Sequence, residues 1–224
     1  MIVLDRPWLS FDLGVEMTVL SWTVNRPGFV RGRHLIWREI RNADLPPDLN
    51  VKAWLDAETA RLGKPDAPCL LTSRRLDAFV RHDAREGTVA ACAVATVGLS
   101  NAERVGTRTD RTGRNWDLDL GAHYGTVNVG VRVDHPLSRA GMLEALSIVT
   151  EARTAAILDA QVHLPTGLAT GTGTDCIAIA APEGVDDYAG LHTDCGVALG
   201  RAVYGAVLAG ARDWQSTVGL IRGG

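Results

Sequence analysis

Thr126-Val127-Asn128-Val129-Gly130-Val131-Arg132-Val133-Asp134 opens the stretch on which the fold turns. Its strict alternation predicts a strand. Ser138 then stands as the N-cap of a helix running to about Ala160, with Met142, Leu146, Val149 and Ala156 as its apolar stripe and Leu143 alongside. On its other side Glu144, Ser147, Glu151 and Thr154 fall in one narrow sector at 100° per residue. Cys176 to Ala181 reads as a second buried strand, closed by Pro182-Glu183-Gly184, and 194–211 as the last long helix. Glycines at 196, 200, 205 and 210 of that helix each cost about 1 kcal/mol of propensity against Ala, which implies close packing on a neighbour. Arg201, in mid-run, rules out a membrane span. Two strand–loop–helix units imply a single α/β layered domain over residues 1–224, with a mixed sheet and long helices packed on it, α+β being the alternative.

Working outward, 11–24 suggests two strands and 29–40 a returning one. The chemistry of Asn25-Arg26-Pro27-Gly28 makes the turn between them, Pro presetting φ and Gly permitting φ > 0. Residues 42–47 break the pattern. A helical period follows through Val51, Leu55 and Leu62, with Gly63-Lys64-Pro65 as its stop. Cys69 to Thr72 is a short strand, and 76–82 reads as a helical turn or two. Val89 to Val97, rich in Val and Ala, is a central strand buried on both faces. It ends in the polar loop Gly98-Leu99-Ser100-Asn101, where α/β proteins often place site residues. The charged, aperiodic run 104–123 reads as a surface loop, a solvated connector in preference to a segment that closes over a ligand.

Net charge is −3, so bulk electrostatics support neither a nucleic-acid nor an anionic-membrane partner. Four cysteines at 69, 92, 176 and 195 form no C-x-x-C pair, which fits buried thiols in a reducing cytosol. The N-terminal residues show no basic-then-apolar secretory pattern, and no apolar run reaches the roughly 18 residues a bilayer span needs. The expectation is a cytoplasmic protein with a small-molecule ligand; a homo-oligomer is left open.

The chemistry gathers in Thr170-Gly171-Thr172-Gly173-Thr174-Asp175, answered by His192-Thr193. Six residues holding three hydroxyls, two glycines and a carboxylate suit a ligand, not a core. The loop precedes a strand and carries no Lys, which disfavours nucleotide phosphate. His192, just before the last helix, is a candidate general base, with a surface or capping role as the plainer alternative. Glu151 is mid-helix, where a solvated face with local charge pairing is the better account from the residues alone. A zinc site drawn from His163, Cys176, His192 and Cys195 has only a weak spacing, so no protein metal is expected. No G-x-S-x-G elbow occurs.

Five segments together resemble the adenosylcobinamide amidohydrolases (CbiZ). They are Thr96-Val97-Gly98-Leu99-Ser100-Asn101, Gly125-Thr126-Val127-Asn128, Thr150-Glu151-Ala152-Arg153-Thr154-Ala155-Ala156, Ala169-Thr170-Gly171-Thr172-Gly173-Thr174-Asp175, and Tyr188-Ala189-Gly190 with His192-Thr193. Arg153 departs from the family pattern, which leads one to expect Lys. The resemblance implies hydrolysis of the amide joining a corrin side chain to aminopropanol, releasing adenosylcobyric acid for cobalamin salvage. It implies no cofactor, since the cobalt enters within the corrinoid substrate. The rival from another class is a corrinoid carrier or sensor that does not hydrolyse.

Amide hydrolysis needs an activated water or nucleophile, donors for the oxyanion, and an acid for the leaving amine. On this reading His192 is the base, Asp175 orients it or a water, and the amides of Gly171, Thr172, Gly173 and Thr174 are the oxyanion donors. Glu151 is the alternative base. Asn101 and Asn128 bind corrin amides or hold the water, with Thr170 and Thr193 beside them. The arrangement requires the loop around 173 and the imidazole at 192 to share one pocket.

Overall fold

In the computed structural model, which describes residues 1–41, 44–110, 112 and 125–218, one mixed sheet of eight strands carries the fold. The chain begins with β1 (Ile2–Asp5) and the long hairpin of β2 (Trp8–Ser21) and β3 (Gly28–Glu39). Helix α1 (Val51–Arg61), capped by the Asn50 side chain on Ala53 N–H, leads to β4 (Cys69–Thr72). A 3₁₀ turn at Leu76–Ala78 precedes β5 (Val80–Glu86), and β6 (Val89–Val97) returns beside it. Next come β7 (Ala102–Glu103), β8 (Val127–Val133) and helix α2 (Arg139–Asp159). Three short strands, β9 (His163–Leu164), β10 (Gly167–Leu168) and β11 (Gly171–Thr172), lead into β12 (Cys176–Ala181) and helix α3 (Asp194–Thr217).

The sheet order is β4-β3-β2-β12-β8-β6-β5, with β1 added on β2. The β8–β12 and β3–β4 pairs are parallel and the others antiparallel. The α/β expectation with a mixed sheet holds. Ser138 caps α2 by accepting from Ala140 and Gly141 N–H, and the turn after β2 makes the expected hairpin, Gly28 taking φ +81°. Three readings need correcting. Residues 11–24 form the end of one long bent strand and its tail rather than two strands. The helical turn expected over 76–82 is confined to Leu76–Ala78, and Val80–Glu86 is a strand; it is an edge strand whose exposed Arg and Asp side chains hide the usual apolar signal. Leu143 is 56% exposed, outside the α2 stripe.

Helices α2 and α3 pack on one face of the sheet, over Val127, Val129, Val131, Ile177, Ile179 and their neighbours. Close packing accounts for three of the four α3 glycines, while at Gly200 a Cβ would meet only Ile148 at 4.0 Å. A Cβ would lie 2.1 Å from the Gly190 carbonyl at Gly196, 2.6 Å from the His82 ring at Gly205, and 2.7 Å from Val97 at Gly210. The opposite face buries Leu9, Phe11, Leu13, Trp37, Leu70 and Ala178, with Leu76 of the 3₁₀ turn and no α-helix in that cluster among the described residues. It does so by curling. The β2–β3 register breaks between Asp12 and Met17, where Gly14 takes φ +89°. Beyond that bend β3 and β4 fold back over β8, although β2 and β12 lie between them in the sheet. Trp37 of β3 sits against Gly130 of β8, Asn128 Nδ2 donates to the Leu71 carbonyl of β4 at 2.5 Å, and Arg132 Nη1 donates to the Leu13 carbonyl at 2.7 Å. The mouth of this curl positions the site.

Candidate active site

A cavity of about 890 Å³ opens where the amino ends of β8 and β12 face the curled-over β3–β4 side. Trp22, Val24, Ile40, Leu45 and Leu71 give it apolar walls. Asn101, Thr126, Asn128, Thr174 and Asp175 give it a floor of amides, hydroxyls and one carboxylate.

Asp175 organises that floor. Its side chain is 7% exposed and pairs with Arg153 of α2, Nη1 to Oδ2 at 2.7 Å. Oδ2 also accepts from Thr172 N–H at 3.0 Å, while Oδ1 accepts from Val127 N–H at 3.0 Å and from the Thr172 hydroxyl. Burial raises its pKa above the ordinary carboxylate range, and the Arg153 charge and these donors pull it back. Burial and a charged partner thus act on this carboxylate in opposite senses.

The neighbouring polar groups lock together. Thr126 Oγ1 donates to the Thr174 carbonyl at 2.8 Å, and the Thr174 hydroxyl donates to the Gly125 carbonyl at 3.3 Å. Since that hydroxyl's single proton is committed, it accepts from Asn101 Nδ2 at 3.3 Å. Asn101 Oδ1 and Ser73 Oγ are buried without a hydrogen-bond partner among the described residues. Asn128 is fully buried, its amide spanning Leu71 and Thr126. Two thiols also line the cavity. Burial pushes Cys69 up, and burial, with Asp175 adding to it, pushes Cys176 up to about 12, so both remain protonated at neutral pH.

The structure therefore brings together Asn101, Asn128, Thr174 and Asp175 of the residues singled out in the sequence. The rest of the Gly/Thr loop supports them. Gly171 and Thr172 pair with Glu103 and Ala102, and Thr170 Oγ1 accepts from Val105 N–H at 2.7 Å. Thr172 N–H serves the Asp175 carboxylate and is not free for an oxyanion. Gly173 is exposed at the tip, with open space around its Cβ position.

His192 does not join them. Asp175 precedes β12, and His192 lies in the exposed turn that follows it, just before α3. Asp175 lies on Val127, which pairs with Val97 at the end of β6, whereas Asp194, two places after His192, stands against Gly87 just before β6 begins, so the two sites sit at opposite ends of that strand. The shared pocket expected for 173 and 192 is overturned. The 192 end is a helix-capping structure. Thr193 Oγ1 accepts from Gly196 N–H at 2.9 Å and donates to the Gly190 carbonyl at 2.8 Å, and Glu144 accepts from Ala189 N–H at 2.6 Å. Glu151 is exposed on α2 and accepts from Ser147 Oγ at 3.1 Å. Of the 104–123 run, residue 111 and residues from 113 on lie outside the described residues; before it, Arg104 Nη1 donates to the Leu168 carbonyl at 3.1 Å. No three of His, Cys, Asp and Glu come together as a metal cluster among the described residues.

Residues that sequence reasoning passed over include Trp22, Ser73 and Thr126. Thr126 was within reach, two places before Asn128 on the same face of a strand. Ser73 carried no signal, because only the curl brings β4 to this mouth.

The fold is an α/β layer whose cavity sets apolar walls and an amide and hydroxyl floor beside one buried carboxylate, with Arg41 also in its lining. A family model described as adenosylcobinamide amidohydrolase (CbiZ) matches residues 2–218, and the chain belongs to that family. No curated protein matches the chain. The chain is thus placed among amidohydrolases that act on adenosylcobinamide, a corrinoid. No helix among the described residues is long and apolar enough to cross a membrane.

Proposed function

We propose that the cavity at the mouth of the curl is where adenosylcobinamide is hydrolysed, with the scissile amide set against Asp175. The observation that carries this is the meeting of apolar walls, a neutral amide and hydroxyl floor and one buried carboxylate in a single space of about 890 Å³. A corrinoid is a wide macrocycle fringed with amides, and such a floor matches that fringe without burying unpaired charge.

In the reaction a water oxygen adds to the amide carbonyl carbon, one water proton passes to Asp175, and the C–N bond then breaks. The proton is returned to the departing nitrogen, leaving a corrin carboxylic acid and free aminopropanol. Among the described residues Asp175 is the one acid lining the cavity, so it takes the part of proton carrier. To receive a water it must lengthen one of its four contacts, and the Thr172 hydroxyl, which can rotate, is the one that yields. Asn101, whose Oδ1 has no hydrogen-bond partner among the described residues, takes an amide of the substrate, Asn128 keeps Leu71 in place beside it, and the Ser73 hydroxyl is a second group without a partner among the described residues.

On this reading one domain over 1–224 does the work in the cytoplasm. It uses no cofactor or protein metal, the cobalt being part of the substrate, and needs neither nucleic acid nor membrane as partner. The test is single-turnover cleavage of adenosylcobinamide by Asp175→Asn and His192→Ala, with the products weighed. Loss of cleavage in the first and retention in the second supports the site; the reverse pattern sinks it.

A further inference from the structure

The segment after β2 continues the strand's alternation past its last pairing, and its two faces differ sharply. Ser21, Thr23 and Asn25 are buried. The hydroxyls of Ser21 and Thr23 lie 3.0 Å apart and donate to the Arg26 carbonyl at 3.0 and 3.2 Å. Asn25 is held at both ends of its amide, Nδ2 on the Ala67 carbonyl and Oδ1 on Cys69 N–H, each at 3.0 Å. The even-numbered side chains point the other way. Trp22 is 44% exposed and Val24 is 49% exposed, and both line the cavity. The indole is also fixed in orientation, because Nε1 donates to the Asp175 carbonyl at 2.9 Å.

A rigid polar shelf that presents an indole face to a cavity is a stacking platform, and its exposed apolar area is costly until something flat covers it. In adenosylcobinamide the corrin carries side chains around its rim and axial ligands on its faces. The unobstructed aromatic plane is the adenine. We infer that Trp22 is the residue that selects the adenosylated substrate, by stacking its indole on the adenine, an inference that rests on the cavity being the corrinoid site. Its tie to the Asp175 carbonyl places that selection one residue-length from the carboxylate.

The experiment measures binding of the two product forms, adenosylcobyric acid and its aqua counterpart lacking the adenosyl group, by equilibrium dialysis to the wild-type chain, Trp22→Ala and Trp22→Phe. Using products keeps hydrolysis out of the measurement. Trp22→Ala is expected to weaken binding of the adenosyl form about 5- to 150-fold, the span of base–aromatic stacking, with the aqua form changed by about twofold or less. Trp22→Phe, which loses the indole N–H but keeps a ring, is expected to retain most of the difference between the two forms. An equal loss for both forms, or no loss for either, overturns the inference, as does a Phe variant that behaves like Ala. Turnover of Asp175→Asn is read in parallel: wild-type turnover there would remove the cavity assignment itself, whatever the dialysis shows for Trp22.

Discussion

Gly171 and Asp175 are matched in shape: a Cβ on Gly171 would stand 2.5 Å from Asp175 Oδ2, the oxygen that also takes Arg153 and Thr172 N–H. The absence of a side chain at 171 is what lets the carboxylate lie back into its ring of donors. Gly171→Ala is therefore expected to displace the carboxylate with the rest of the fold intact. A misplacement of about 1 Å is enough to cost about 100-fold in rate, so kcat should fall by that order. Steady-state kinetics on adenosylcobinamide, with circular dichroism to confirm the fold, checks it; an unchanged kcat would separate Asp175 from the chemistry.

The two ends of β12 make opposite predictions. Asp175→Asn keeps the shape of the side chain but cannot carry a proton, and its kcat should drop by about 10²- to 10⁴-fold, the usual contribution of a positioned acid–base group. His192→Ala and Glu151→Gln act on an exposed turn and an exposed helix face and should keep kcat within about threefold, as surface changes usually do. A dead His192→Ala enzyme with a native melting profile would require the imidazole to reach the substrate by a rearrangement absent from this fold.

The acid limb of the rate should report Asp175. If the ionised carboxylate is the active form, activity rises with pH through its pKa, which burial holds above the ordinary carboxylate value. Arg153 is the strongest influence in the other direction. Arg153→Gln removes it, so the limb of kcat/KM is expected to move to higher pH; Arg153→Lys, which keeps a charge, should move it less. Because losing one partner of a buried pair costs about 3–5 kcal/mol, the profiles should be taken well below the melting temperature. A limb that stays in place in Arg153→Gln would mean that another group governs the rate.

What could be read in advance and what could not divides along physical lines. The strands Val127–Val133 and Cys176–Ala181 and the helices after them are written in local periodicity and caps, and Ser138 and Thr193 both cap as their residue types require. The Gly/Thr/Asp loop was legible as chemistry because its residue types serve no core. Its partner was not. Proximity in sequence suggested His192, seventeen positions on, yet β12 carries the chain across the sheet between the two. The true partners are Arg153, one helix back, and Trp22, from the other end of the chain. No local pattern announces that the sheet curls until Leu71 meets Asn128. That is a long-range consequence of a bend in β2 and a missing side chain at Gly130. The edge strand Val80–Glu86 escaped notice for the opposite reason: its charges, which guard the edge, mask its pairing.

The bend in β2 also sets an acid sensitivity. Asp12 accepts from Gly14 N–H at 2.9 Å and from Arg33 Nε at 2.9 Å and Nη2 at 3.2 Å. Arg33 first, and the Gly14 amide second, hold its carboxyl well below the usual carboxylate range. A depressed folded-state pKa stabilises the fold above the unfolded value of about 3.9, and that stabilisation fades as pH falls toward the folded one. Asp12→Asn should lower the urea unfolding free energy at pH 7 by up to about 1 kcal/mol, the range of a partly exposed pair. The deficit should shrink as the pH drops below 4. A deficit that persists undiminished at the lowest pH at which the chain still folds would assign Asp12 a purely steric part in the bend.

Gly130 ties the curl to the site. A Cβ there would lie 2.5 Å from the Trp37 ring, and Trp37 is fully buried in one cluster with Leu9, Leu35 and Leu70. Gly130→Ala is expected to cost about 1–3 kcal/mol through overpacking, visible as a lower midpoint in urea. The strain falls two residues from Asn128, whose amide clasps the Leu71 carbonyl across the mouth. Forcing Trp37 outward opens that clasp, so binding of adenosylcobyric acid should weaken as well, even where the chain remains folded. Ala180, which packs in the same buried cluster, offers the control: Ala180→Gly should cost about 1 kcal/mol of stability without loosening the mouth. If the two variants lose affinity equally at matched stability, the curl is not what shapes the cavity; if only Gly130→Ala loses it, the close approach of β3 to β8 is what holds the site open to its substrate.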